Sequence, residues 1–231
     1  ADWGMRALPP VSTLARLGGV GAVVGTGCDA LHNQAVLHYD VLPVRIDLGI
    51  GSIATSVLVP PLLALAYPVI GGLLPILTRW VKGGGPVLVS LEPQQRAFLA
   101  VGTTAAIIRL SESLTAWPAT AATCALLLCA LAQWKLIDGR LSSLVLAVVV
   151  GIGGPLAELP LTFAGAWHYL QPNYWPLSSF GLGPDTPGAG WAGLDLITGP
   201  CYFAVCTDSI ALADWFGRER NSDAHSPRAA E

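Results

Sequence analysis

The feature that most constrains this chain is a run of thirty-one residues, Leu48 to Thr78, without one charged side chain. A helix needs about 20 apolar residues to cross the hydrocarbon of a bilayer, so this run alone points away from a water-soluble domain. Three further stretches nearly match it. Composition agrees, with 53% hydrophobic and 12% charged residues, against about 25% charged in a typical soluble domain. A length of 231 residues holds six crossings of about 20 residues each and leaves no room for a separate soluble domain.

The expected fold is therefore all-α: a polytopic membrane protein, a bundle of six transmembrane helices, some of them proline-kinked. The membrane domain is read as residues 14–216, after an N-terminal segment 1–13 and before a polar tail 217–231. The spans fall near Leu14–Val36, Leu48–Leu74, Gln95–Leu114, Pro118–Ile137, Leu141–Tyr169 and Ala192–Phe216. Gly21 and Gly25 in the first have the spacing that lets two helices approach closely. Pro60-Pro61 and Pro68 are expected to interrupt the second, because each proline removes an amide donor. The chain opens on Ala rather than Met, so it is read as starting internally or as having lost a targeting segment.

Orientation follows from Lys and Arg. Arg6, Arg16, Arg79, Lys82, Arg96, Lys135, Arg140, Arg218, Arg220 and Arg228 fall on one side, with Arg45 and Arg109 on the other. Both termini are thus expected on the cytosolic or equivalent face. The basic residues are too few and too scattered for nucleic acid.

Catalytic signatures are missing. There is no nucleophile elbow, zinc-protease helix motif, phosphate loop or paired-carboxylate motif, and no Cys or Cys/His spacing suited to a metal. The expectation is a protein that is not an enzyme, with no catalytic residue and no metal site. All five cysteines sit in apolar segments and read as buried small hydrophobes.

Ionisable groups inside spans each need an explanation. Glu158 reads as a proton site, a pigment or metal ligand, a partner for a lipid hydroxyl, or a neutral acid bonded to carbonyls released by Pro160. Arg109 and Glu112, three apart, suit an intrahelical ion pair. Asp195 reads as a solvated or capping residue, and Asp208 as a partner for Arg109 or for a polar helix face. Trp167-His168-Tyr169, with Tyr174 and Trp175, looks like an interfacial aromatic belt. His168, His32 and Glu158 are the candidate ligands for a pigment, chlorophyll or haem.

Several short segments, taken in order, resemble the Insig family of endoplasmic-reticulum membrane proteins. They are Val59-Pro60-Pro61 followed by Tyr67-Pro68, Arg96 opening span three, and Trp134-Lys135-Leu136-Ile137-Asp138-Gly139-Arg140 at the end of span four. Gly165-Ala166-Trp167-His168-Tyr169 followed by Pro172, and Gly199-Pro200-Cys201-Tyr202-Phe203, complete the set. The resemblance runs from about Val20 to Arg218. It implies a six-span protein with cytosolic ends that binds a sterol or a diacylglycerol-like membrane lipid between its helices and docks onto other integral membrane proteins. It also implies a partner-facing role for Asp138, with Arg140 beside it. The lipid cavity would be lined by spans opened at Pro60, Pro61 and Pro155, with Glu158 near the headgroup.

Two other classes stand beside this reading. One is an accessory subunit of a larger photosynthetic or respiratory membrane complex, and the other is a small transporter. The membrane is the endoplasmic reticulum on the resemblance, or otherwise a bacterial inner membrane or a chloroplast membrane.

Overall fold

The computed structural model describes residues 8–32, 35–47, 49, 52–85 and 90–225. Helices dominate: α1 (Val11–Asp29), α2 (Val59–Thr78), α3 (Pro93–Ser113), α4 (Ala119–Ile137), α5 (Leu141–Phe163) and α6 (Thr198–His225). Among the described residues, four of them (α1, α2, α4 and α5) are long and apolar enough to cross a membrane. Their outward faces are apolar too, with Leu65 69%, Leu128 68% and Ile152 62% exposed. Such surfaces are at ease against acyl chains rather than water.

α6 occupies the middle of the bundle and packs on α1, α3, α4, α5 and the second half of α2. Cys201, Phe203, Ala204, Cys206, Ile210 and Leu212 are buried, and so are the polar Thr207, Asp208 and Ser209. Surrounding helices shield those polar groups, so α6 tolerates a mixed sequence that a lipid-facing helix would not. α3 begins at Pro93 behind a capping box. The Glu92 side chain accepts from the first turn, and Gln95 Oε1 accepts from the Glu92 amide at 3.3 Å.

Close approach of backbones sets the α1–α2 and α2–α6 contacts. A side chain at Gly21 would collide with the Leu63 carbonyl, and one at Gly71 with the Ser209 carbonyl. The glycine-rich face of α1 thus lies directly on α2, as its spacing suggested. Both helices contain a π-helical turn at this seam, Gly21–Gly25 in α1 and Pro68–Leu73 in α2.

The structure corrects several boundaries. The expected start of span two at Leu48 lies outside the described residues, and within that span Ser52–Ser56 forms β3, paired with β2 (Pro43–Asp47), so that α2 starts only at Val59. Alternating Ile, Thr and Ser favour a strand there, although no charge marks it. Pro60 and Pro61 consequently sit in the first turn of α2 and do not interrupt it. Amides in a first turn have no intrahelical partner to lose, so proline is at home there. α5 ends at Phe163, and Trp167–Tyr169 forms β4, antiparallel to β1 (Leu37–Tyr39). The sixth span starts at Thr198 rather than Ala192. Cys28, Cys201 and Cys206 are buried, but Cys124 is exposed and Cys129 half-buried.

Candidate functional site

Both two-stranded sheets lie where α1 and α5 end and α2 and α6 begin, so they share one end of the bundle. On β1 and β4, alternate side chains point inward: Leu37 and Tyr39 from one, Trp167 and Tyr169 from the other. Beneath them opens a cavity between α1, α2, α3, α5 and α6. Leu63, Ala66, Ile70, Ile108 and Val205 give it apolar walls. Its polar side chains come from Asp29, His32, Tyr67, Glu158, Tyr169, Thr198 and Tyr202, all but Tyr67 from the ends of elements next to the sheet.

Glu158 is buried and accepts from three side chains. Trp167 Nε1 (3.0 Å) and the Tyr169 hydroxyl (2.7 Å) donate to its Oε2, and the Tyr202 hydroxyl (2.6 Å) donates to its Oε1. The absence of a side chain at Gly154, one turn earlier on α5, leaves room for the Tyr202 ring. Side chains from β4 and α6, not carbonyls freed by Pro160, therefore satisfy this acid. The result is a three-way tie between α5, β4 and α6.

Asp29 and His32 form a second polar pair at the end of α1. The Tyr39 hydroxyl donates to Asp29 Oδ2 at 2.5 Å. His32 Nδ1 lies 3.2 Å from Ser111 Oγ, whose own proton is spent on the Ile108 carbonyl at 2.7 Å. Nδ1 must therefore be the donor, which turns Nε2 toward Asp29. That nitrogen is 3.8 Å from Asp29 Oδ1, too far for a direct hydrogen bond. The two groups are close enough for an ion pair, with no room for a further atom on the line between them.

The remaining candidates fall elsewhere. Pro60, Pro61 and Pro155 are not among the residues lining this cavity, while Glu158 and His32 both are. His168 faces outward from β4, with its Nδ1 2.7 Å from Asp40 Oδ2. The three residues considered as pigment ligands are thus split between the cavity and the outer face of the sheet. Among the described residues, no group of three or more His, Cys, Asp or Glu is arranged to hold a metal ion.

Asp138 and Arg140 meet at the opposite end of the bundle. Arg140 grips Asp138 through Nε (2.5 Å) and a terminal nitrogen (2.9 Å), and the same terminal nitrogen reaches Asp214 on α6 at 3.1 Å. Burial works against the charge on Arg140, but Asp214 and Asp138 hold its pKa above the ordinary guanidinium value. Asp138 is itself buried. Its immediate partner is thus a clasp that joins the α4–α5 connection to α6.

Arg109 pairs with Glu112 on its own helix, and Asp208 does not meet it. Asp208 is fully buried, with Oδ1 3.3 Å from Ser209 Oγ and Oδ2 without a hydrogen-bond partner. Asp195 is buried rather than solvated, and it caps the turn before α6 by accepting from the Ile197 amide at 3.1 Å and from Asn173 Nδ2 at 2.8 Å. Burial raises its carboxyl above the ordinary value. Sequence reasoning missed Asp29, Tyr67, Tyr169 and Tyr202 as cavity residues. A usable signal was present in Trp167-His168-Tyr169, whose period of two sets Trp and Tyr on one face of a strand.

No family model and no curated protein matches the sequence. Two solved structures do. One is a mycobacterial Insig homolog, MvINS from Mycobacterium vanbaalenii (TM-score 0.62, 18% identity), and the other is a cross-linked trimer of MvINS (TM-score 0.62, 19% identity). Each match covers 95% of this chain and 98% of the other. The fold is Insig-like.

Proposed function

We propose that this Insig-like bundle is a non-catalytic, six-span membrane protein that holds a single-headgroup lipid or sterol in the cavity beneath β1 and β4. One observation carries the reading. The cavity has apolar walls and gathers its polar groups at one end, as a lipid with one small headgroup requires. Glu158 already accepts from three protein donors, so the Asp29–His32 pair is the more available headgroup contact. A headgroup hydroxyl can donate to the Asp29 carboxylate from beside the pair, whereas a phosphate would meet that carboxylate's charge.

The six-span topology rests on length and shielding. α3 has 21 residues and α6 has 28, enough to cross at 1.5 Å per residue, and neighbours cover the polar side of α6. The Lys and Arg bias puts both termini on the cytosolic side. A role as a docking subunit for other integral membrane proteins follows from the resemblance, and of the Asp138–Arg140–Asp214 clasp it is Arg140, with its side chain 43% exposed, that a partner could reach.

Native purification followed by lipid extraction and mass spectrometry tests the proposal. The expected result is one lipid species enriched over bulk membrane lipid and displaced by His32→Leu or by Ala66→Trp, which fills the cavity. A bundle that carries only bulk lipid in membrane proportions, with no saturable binding, would overturn it. A colourless protein is expected as well, and an absorption band of chlorophyll or haem would favour an accessory subunit instead.

A further inference from the structure

The outer face of the β1–β4 sheet carries an arrangement that the lipid reading does not use. His38 and His168 are direct partners in the antiparallel register, and both point outward, opposite to the Leu, Tyr and Trp side chains between them. Their ring centroids are 5.4 Å apart with planes tilted by 48°. His168 Nδ1 lies 2.7 Å from Asp40 Oδ2. A carboxylate accepts only, so Nδ1 carries the proton and Nε2 presents a lone pair to the outside.

We propose that His38 and His168 form a surface site for a borderline divalent transition-metal ion, Zn2+ or Cu2+, with Asp40 as the residue that positions His168. The spacing supports it. A metal bound about 2.0–2.1 Å from an imidazole nitrogen lies about 3.2 Å from the ring centroid, so two rings on a tetrahedral ion have centroids about 5.2 Å apart. The observed centroid separation of 5.4 Å is close to that value, so rotation of the exposed rings about their side-chain bonds can bring one nitrogen of each to a shared ion. The carboxylate on the far nitrogen is the device by which metal-binding histidines are commonly fixed in tautomer and orientation. Imidazole suits Zn2+ and Cu2+ over Mg2+ and Ca2+, which prefer oxygen.

Asp40 is spent on His168, so the protein supplies two ligands and water completes the coordination. This agrees with the lack of any three-residue cluster among the described residues. With two protein ligands in place of four, such a site binds less tightly than a structural zinc. Its consequence lies on the other face of the same strands. Leu37 and Tyr169 line the cavity, and Tyr39 and Tyr169 donate to Asp29 and Glu158. An ion joining His38 to His168 would pin β1 to β4 at the cavity rim.

The test uses the untagged full chain in detergent micelles, carrying His225→Gln so that the buried His32 and the two sheet histidines are the imidazoles that remain. Zinc chloride is titrated by calorimetry, and Cu2+ is followed by electron paramagnetic resonance. One ion per chain is expected, with His38→Gln and His168→Gln each weakening binding more than tenfold, and with nitrogen hyperfine structure from two imidazoles falling to one in either variant. Asp40→Asn is expected to weaken binding by about tenfold, the usual effect of losing an orienting partner, while the two-nitrogen spectrum persists. Both histidines are exposed, and unchanged helical circular dichroism would establish that the variants fold. Saturation absent below roughly millimolar Zn2+, or an affinity and spectrum indifferent to both histidine substitutions, would overturn the proposal. Lipid occupancy is read separately, so either outcome leaves the cavity reading to its own test.

Discussion

At the scale of single residues, Glu158 teaches most. Its place in a membrane helix marks it as needing partners, and that much was evident from the sequence. Which partners was not. They lie nine, eleven and forty-four positions along the chain, and only chain reversal after α5 brings them to one carboxyl. Glu158→Leu leaves three buried donors unsatisfied, each at about 1–3 kcal/mol, and is expected to destabilise the fold by roughly 3 kcal/mol or more. Glu158→Gln keeps one acceptor oxygen for Trp167 and Tyr169 and lets Tyr202 accept instead, so about 1 kcal/mol is expected. Thermal unfolding in micelles separates the two. Equal losses would mean that charge, rather than hydrogen bonding, holds the site.

At the scale of elements, two contacts decide how helices meet. Gly21→Ala drives a methyl into the Leu63 carbonyl and the Tyr67 ring and is expected to cost about 1–3 kcal/mol. Gly19→Ala, with nothing within 4 Å of the added carbon, is expected to be neutral or to stabilise by up to about 1 kcal/mol through helix propensity. The pair, measured side by side, tells packing from propensity. At the other end, Arg140→Gln leaves Asp138 and Asp214 facing each other without their shared cation. The arginine side chain is 43% exposed, so solvent screening limits the expected loss to about 1–2 kcal/mol. The double variant Arg140→Gln/Asp214→Asn is expected to recover part of it. Adjacent charges at 138 and 140 were visible in the sequence, but Asp214 was hidden, because its closeness depends on where α6 crosses the α4–α5 connection.

At the scale of the whole molecule, the surface identifies the solvent. Leu128 is 68% exposed at the centre of α4, where a bundle in water would welcome a lysine. In a bilayer the same substitution carries about 2.5–3.5 kcal/mol against insertion. Leu128→Lys is therefore expected to deplete the protein from the membrane fraction, whereas unchanged yield there would argue that α4 does not face lipid.

The membrane-protein class and most helix positions were set by local patterning, since hydrocarbon demands long apolar stretches and each stretch records that demand in its own residues. Tertiary structure alone decided the rest. The uncharged run at Leu48 could not reveal that its first part pairs as a hairpin, because apolarity over a few residues suits a strand as well as a helix. Nor could α6 announce its central place, where neighbours rather than lipid surround Asp208. The cavity, the His32–Ser111 contact and the His38–His168 pair join residues from distant parts of the chain, and contacts of that kind exist only once the helices have packed.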